Sequence, residues 1–386
     1  MRIAIDMRSV AETGGQISGV ENYFVNIFNR LSDYIKPADN LMPIINRYKK
    51  VVLPDSLVAP ATLSQTHIPN KVFNSLQFLF HYPRFENLYG EFDVLWLPDI
   101  RPFSVNLKTK VALTVHDLTP LTNPEYYSLR RRIWHRIVDY RQAIRRADII
   151  FAVSEYTKQD IINKLGVDSQ KIKVVYPGVE TKDFKPLTEL DAEHIAKVKS
   201  KYLLPDEYIL ALSTIEPRKN IANLIVAFEA LENSTNKNVH LVIAGKLGWL
   251  YEPIIKRIKS SALRDRIHLL GYIHENDKAV IIAAASLLCY PSFHEGFGFQ
   301  PIEAMACGVP VVASSRTSLP EICGGAAILV EPNHPGDIAS AIESLLNDSD
   351  LRQKYITLGL IRSRKFDWQN TAKEVYDGCM TIGERS

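Results

Sequence analysis

The sequence predicts an α/β protein built from two doubly wound, parallel-sheet domains. Three observations carry that prediction. Short β-branched runs alternate with longer amphipathic stretches along the chain, and continuous apolar strands alternating with helices imply parallel sheets covered on both faces. The 386 residues exceed one small core, and a prior of roughly 150 residues per domain points to two. A polar stretch from Gly178 to Pro205, containing Pro186, interrupts the alternation midway.

In chain order, buried strands are expected at residues 3–7, 51–54, 94–97, 111–115, 149–153 and 174–176 of the first half. The second half offers 208–212, 239–244, 267–270, 286–290, 309–313 and 327–330. The two domains are expected at 1–180 and 181–365. The amphipathic segment 366–386, with no strand after it, is expected to cross back to the first domain. Two such domains facing a central cleft would line it with the C-terminal ends of their strands, where open α/β sheets bind ligands.

Composition narrows the class. With 46% hydrophobic and 23% charged residues the chain is an ordinary globular protein, neither disordered nor fibrous. A net charge of +3 implies no general affinity for nucleic acid. The opening MRIAIDMRSV reads as a strand rather than a signal peptide, and no apolar run approaches the roughly 20 residues of a membrane span. The four cysteines lack metal-type spacing, and two of them sit in apolar or helical runs that suit a small buried hydrophobe, so a reduced, cytoplasmic protein is expected.

The densest chemistry lies in Ser292 to Val312, SFHEGFGFQPIEAMACGVPVV. Pro301 suits the first turn of a helix, where its missing N–H costs nothing, and Gly308 suits the end. Amides around Phe297, Gly298, Phe299 and Gln300 would then sit at a helix N-terminus, a natural phosphate cradle. Glu295 and Glu303 flank it, which fits a ligand carrying both phosphate and hydroxyls.

Thr214 to Asn220, TIEPRKN, follows the first strand of the second half. Arg218 and Lys219 at a helix start would bind a dianion and neutralise a departing diphosphate. Gly245 in GKLGW and Gly271–Tyr272 end further strands, where backbone can approach a ligand closely. In the first half His116–Asp117 ends the strand VALTV, so His116 could donate to a sugar hydroxyl or act as general acid or base. Gly14, Gly15 and Gly19 fail the dinucleotide fingerprint, since TGGQISG is not G-x-G-x-x-G, but leave a Gly-rich ligand loop open. Arg130 to Arg146 holds seven arginines and one acid, with Ile133, Ile137, Tyr140 and Ile144 at helical spacing. Either it is a core-packed helix with a solvated basic back, or it attracts anionic lipid or a phosphate-bearing acceptor. Asp348–Ser349–Asp350 mimics a metal-binding D-x-D, but its place between two helices predicts a capping turn, and no metal is expected.

Together these segments resemble the retaining family 4 glycosyltransferases of the two-Rossmann-domain GT-B fold. EPRKN and HEGFGFQPIEAMACGVPVV carry the resemblance most specifically; IAIDMR, VHD, FAVSEYT, GKLGW and SLPEICGGAAILVEP support it, and it spans nearly the whole chain. The resemblance implies a nucleotide-diphosphate-sugar donor, no further cofactor, and a glycan or polyprenyl-diphosphate-linked acceptor. It also implies roles. Glu303 would hold the donor ribose, Glu295 would contact sugar hydroxyls, Arg218 and Lys219 would clamp the diphosphate, and His116 would meet the sugar's hydroxymethyl end. Many members have an additional Arg in a G-R pair where this chain has Ser213–Thr214, which puts more of the clamp on Arg218. GKLGW with EPRKN looks most like bacterial enzymes that use GDP-mannose in cell-surface polysaccharide synthesis. A UDP- or ADP-sugar donor, a nucleotide-sugar epimerase and a non-catalytic sugar-nucleotide binder stand as alternatives. The expected location is cytoplasmic, peripheral on the inner face of the membrane if the basic helix binds lipid.

Overall fold

The computed structural model describes residues 1–11, 19–46, 53–54, 56–58, 63–231 and 238–384. Their contacts fall into two units. Unit 1 is Met1–Pro124, Leu129–Gly178 and Trp368–Ser386; unit 2 is Glu125–Ser128 and Val179–Asp367.

Among the described residues of unit 1, seven parallel strands run in the order β3-β2-β1-β4-β5-β6-β7. They are β1 Arg2–Asp6, β2 Asn40–Asn46, β3 Ser64–Thr66, β4 Val94–Leu97, β5 Lys110–Val115, β6 Ile149–Ala152 and β7 Ile172–Val174. Every residue of β4 is buried, as a strand covered on both faces requires. The terminal helix Trp368–Gly383 packs in this unit, with Trp368 edge-on to Tyr23 and Thr371 donating to the Tyr176 carbonyl at 2.7 Å.

Two strands of this sheet differ from expectation. β2 opens with polar Asn40, and Pro43 interrupts its apolar residues Leu41, Met42, Ile44 and Ile45; it pairs in register with β1, Arg2 opposite Asn40. β3 is Ser-Gln-Thr, with no apolar residue at all. Of the strand expected at 51–54, residues 51–52 lie outside the described residues, and 53–54 are not strand. The strand expected at 174–176 lies instead at Ile172–Val174, where its partner β6 ends at Ala152 opposite Val174.

Unit 2 has six parallel strands, β10-β9-β8-β11-β12-β13, among the described residues. They are β8 Tyr208–Leu212, β9 His240–Ala244, β10 Ile267–Gly271, β11 Leu287–Tyr290, β12 Val311–Ser314 and β13 Ile328–Val330. Each matches an apolar run within two residues. Ile209, Leu241, Ile243, Leu287 and Val312 pack with Leu224 and Phe228 of the helix Ile221–Ala230 in one core. Burying each such side chain is worth about 1.5–3 kcal/mol.

Strand order reverses between β8 and β11, which pair through Leu287 with Ile209 and Leu288 with Leu210. A crevice outside the carboxyl ends of a doubly wound sheet forms at such a reversal. The loops leaving β8 and β11 carry the Arg218–Lys219 and Glu295 motifs. In unit 1 the reversal lies between β1 and β4, beside β5 and its terminal His116.

Candidate functional site

The site in unit 2 is built by two loops. The first leaves β8 at Leu212; Pro217–Lys219 make a single 3-10 turn, and the helix Ile221–Ala230 begins only after Asn220. Arg218 and Lys219 therefore ride on a tight turn before the helix, not on its first residues. Asn220 sits at φ 57° and pins the turn, its Nδ2 donating to the carbonyls of Pro291 at 3.0 Å and Pro332 at 2.7 Å. The second loop leaves β11 at Tyr290 and ends at the helix Phe299–Ala306. Phe293 N–H donates to the Arg218 carbonyl at 2.9 Å and ties the loops together.

Glu295 is the centre of the joined loops. Its Oε1 accepts from Lys219 Nζ at 2.6 Å and from the Tyr290 hydroxyl at 3.0 Å. Its Oε2 accepts from Arg218 Nη1 at 3.1 Å, and the same Nη1 donates to the His294 carbonyl at 2.6 Å. Arg218 Nε donates to Glu216 Oε1 at 3.0 Å, and Lys219 Nζ donates to the Tyr290 hydroxyl at 2.9 Å. Thr317 Oγ1 accepts from Glu295 N–H, and Ser318 Oγ donates to the carbonyls of Glu295 and Phe297, so the loop backbone is held as firmly as its side chains.

Charge explains the titration of this cluster. Burial pushes the Glu295 carboxyl up, but Lys219 and Arg218 outweigh burial and hold it at about 2. Burial, then the neighbouring Arg218 charge, pushes the Lys219 ammonium below its ordinary value, with Glu295 and Glu216 opposing. Two cations and two carboxylates cancel, which makes so buried a cluster tolerable. A diphosphate brought here competes with carboxylates for cations already aimed and desolvated.

The helix Phe299–Ala306 supplies the second anion-binding element. Gly298 caps it at φ 100°, a left-handed conformation that favours glycine, and Phe299 and Gln300 open the helix, placing their amides at its positive end. The Phe297 ring is buried against Phe299 and Phe366, with ring centres 5.2 and 5.5 Å apart, so it packs the core while its backbone serves the loop.

Glu303 faces a different partner. It is buried on the same helix, and its Oε1 accepts from Lys278 Nζ at 2.6 Å. Its Oε2 is buried and has no hydrogen-bond partner among the described residues. Burial pushes its carboxyl above the usual range, against the pull of Lys278. One oxygen is thus engaged and the other is left for a hydroxyl. Gly245 ends β9 at φ 136°, where a Cβ would lie 1.9 Å from the Ser213 carbonyl oxygen. Tyr272 follows β10, its ring edge-on to His274 at 5.9 Å.

His116 lies in unit 1 at the end of β5. Its Nε2 is 2.9 Å from the Pro98 carbonyl, Tyr23 stands edge-on at 4.9 Å, and burial lowers its pKa. The imidazole is neutral at pH 7, Nε2–H donating to Pro98 and Nδ1 left as acceptor. Gly14 and Gly15 lie outside the described residues.

The structure thus brings Arg218, Lys219 and Glu295 into direct contact, while Glu303 makes its own ion pair. Sequence reasoning missed Tyr290, Glu216, Thr317, Ser318 and Lys278. Tyr290 ends a strand just before the Ser292–Val312 segment, and Glu216 lies inside TIEPRKN itself, so both were legible. Lys278 lies far from them in sequence, on the helix Glu275–Ala283, and only folding reveals it. Asp348 accepts from the amides of Asp350 and Leu351, both at 2.9 Å, and caps the helix Ser349–Ser363. The basic segment is two helices, Leu129–Ile137 and Tyr140–Arg146, broken at Asp139, whose φ is 42°. Ile144 is buried, but Ile133 is half exposed, so the expected single apolar face does not form.

Residues 195–359, which contain both loops, match the family described as Glycosyl transferases group 1, and residues 49–183 match Glycosyltransferase Family 4. The O-antigen chain mannosyltransferase B of Escherichia coli is 32% identical over 261 residues, 68% of this chain and 68% of that one. The chain belongs to the family 4 glycosyltransferases. The serotype-specific mannosyltransferase WbdA of Escherichia coli is 34% identical over 277 residues; these cover 70% of the chain but 33% of WbdA, so the chain spans about a third of that relative. Among solved structures, sucrose-phosphate synthase from Thermosynechococcus elongatus superposes with a TM-score of 0.75 at 18% identity, covering 100% of both chains. The likeness shows that this family 4 member has the GT-B fold, with two Rossmann-like parallel-sheet domains. Among the described residues no helix is long and apolar enough to cross a membrane.

Proposed function

We propose that the chain is a retaining, metal-independent mannosyltransferase that uses GDP-mannose and a glycan or polyprenyl-diphosphate-linked acceptor in cell-surface polysaccharide synthesis. The observation that carries this reading is the Arg218–Lys219 turn, locked at 2.6–3.1 Å onto Glu295. Relatives named as mannosyltransferases of O-antigen chains support the sugar and the setting.

In this reading the diphosphate takes Arg218, Lys219 and the amides at Gly298 to Gln300, while Glu303 takes a ribose hydroxyl. Gly245 and Tyr272 line the strand ends around the nucleotide. Glu295 orients the sugar and keeps both cations in place; at a pKa of about 2 it stays ionised through the neutral range. The bond from the anomeric carbon to the β-phosphate oxygen breaks towards the diphosphate, which keeps the electron pair. The acceptor oxygen bonds to the anomeric carbon on that same face and passes its proton to the departing phosphate oxygen.

A thermal-shift panel of GDP, UDP, ADP and TDP tests the donor. A ligand at about 100 times its Kd adds roughly 2.7 kcal/mol of stability. GDP is expected to give the largest shift, and a larger shift with UDP or ADP overturns the donor assignment. Sugar transfer, or hydrolysis to water, must then proceed in EDTA at the rate seen with magnesium or manganese. No turnover from bound donor would leave a sugar-nucleotide binder.

A further inference from the structure

We propose that Lys278 is a positioning residue of the nucleotide site, acting through Glu303. The inference rests on Glu303 as the ribose-binding carboxylate and deepens that reading by saying what holds it ready.

Lys278 lies on the helix Glu275–Ala283 and is buried, although a lysine is almost never found so enclosed without a partner. Its Nζ lies 2.6 Å from Glu303 Oε1, 3.9 Å from Glu275 Oε2 and 5.4 Å from the centre of the Phe184 ring. The short contact is to Glu303, the long one to a half-exposed Glu275, so Lys278 is committed to Glu303. The ring of Phe184 covers one face of the ammonium, an arrangement that favours the charged form.

Glu303 needs that commitment. A buried carboxyl without a counter-charge takes up a proton near neutrality, and a protonated oxygen no longer accepts from a hydroxyl. With Lys278 on Oε1 the charge is kept, the rotamer is fixed, and Oε2 is the oxygen left without a partner among the described residues. The geometry assigns Glu303 a grip through Oε2 on ribose, with Oε1 already engaged. The titratable groups facing Glu303 are Lys278 and Glu275 from the neighbouring helix and Cys307 from its own; Cys307 stays a thiol, because burial and then Glu303 push its pKa up.

The experiment is calorimetric binding of GDP and UDP by the full chain from pH 5.5 to 9, with Lys278→Met, Lys278→Arg and Glu303→Gln. Lys278→Met is expected to bind about tenfold or more weakly at pH 7 and to regain affinity as pH rises and Glu303 ionises. The wild type should be flat over that range, and Lys278→Arg should stay within about threefold of it. If Lys278→Met matches the wild type in affinity and pH profile, while Glu303→Gln is weakened, this proposal fails and Glu303 keeps its role. If Glu303→Gln binds as the wild type does, the role of Glu303 itself fails. Infrared difference spectra give a readout free of ligand. A protonated-carboxyl stretch should appear in Lys278→Met, be absent from wild type, and vanish when Glu303→Gln is added. Should Lys278→Met not fold, Lys278→Gln takes its place in both measurements; an ionised Glu303 there overturns the proposal.

Discussion

At the residue scale, the chemistry of the site comes down to which side chains hold charge, and against what. Arg218→Ala or Lys219→Ala removes one donor to Glu295, and in our reading one donor to the diphosphate. Each should weaken nucleotide binding by about 1.5–3 kcal/mol, the usual worth of a hydrogen bond to a charged group, as read by titration calorimetry with GDP and UDP. Affinity unchanged in both variants would remove the clamp. Acid stability checks the same cluster differently. The Glu295 carboxyl is lowered from its ordinary 4.5 to about 2, so its contribution is complete above pH 4.5 and is lost as pH falls towards 2. It should amount to about 3 kcal/mol. Urea unfolding at stepped pH should therefore show wild type losing more stability over that window than Glu295→Gln; parallel slopes would mean that Glu295 is not held ionised by its neighbours. Arg218, Lys219 and Glu295 were legible in the sequence because costly glycines and adjacent charges crowd two short motifs. That Glu295 would spend both oxygens on Lys219 and Arg218 was not legible, since those contacts join residues more than 70 positions apart.

At the scale of elements, strand ends and helix starts set where those side chains stand. Gly245 is the sharpest case. Its φ of 136° and a Cβ position 1.9 Å from a backbone oxygen leave no room for a methyl group, since the Ser213 carbonyl cannot swing aside as a side chain would. Gly245→Ala should cost about 2–4 kcal/mol and lower Tm by several degrees; a melting curve superimposable on wild type would contradict the close approach of β8 and β9. Asp348→Ala tests a cap against a metal ligand. Losing the carboxylate that accepts from two amides at the start of the helix Ser349–Ser363 should cost about 1 kcal/mol, with transfer rates unaltered. A variant that folds well but has lost metal-stimulated activity would reverse that reading. The strands of unit 2 were legible because each is a continuous apolar run. β2 and β3 were not, because Pro43 and the polar Ser-Gln-Thr hide them and only pairing with β1 and β2 makes them strands. The basic segment misled for a related reason. Its helical spacing is real, but a left-handed Asp139 breaks the helix, and Val138 is buried at that break.

At the scale of the whole molecule, a net charge of +3 conceals a strongly uneven distribution. The helix Leu129–Ile137 exposes Leu129, Ile133 and Trp134 at 73%, 50% and 40%, among Arg130, Arg131 and Arg136, which are also exposed. Apolar and aromatic side chains among solvated arginines fit an anionic membrane surface, where each arginine is worth about 1 kcal/mol. Purified protein should therefore cosediment with phosphatidylglycerol vesicles, less so as salt rises, and less so with those three arginines changed to serine. No binding, or binding indifferent to salt, would return this helix to a purely structural role. An enzyme held there would meet a lipid-linked acceptor, and the face from which that acceptor attacks decides the stereochemistry. Inversion needs a base on the acceptor hydroxyl, opposite the leaving group. Among the residues assigned to the sugar, Glu295 is locked between two cations at a pKa of about 2, far too weak a base at neutral pH. His116, which the resemblance alone puts at the hydroxymethyl end, directs Nε2–H to Pro98. The strongest base left beside the breaking bond is the departing diphosphate, which can take the proton only from its own face. In our reading retention is therefore expected: an α-linked donor should give an α-linked product, and proton NMR of the anomeric coupling reads the result. A β-linked product would require a base that none of these residues supplies, and would end the mechanism.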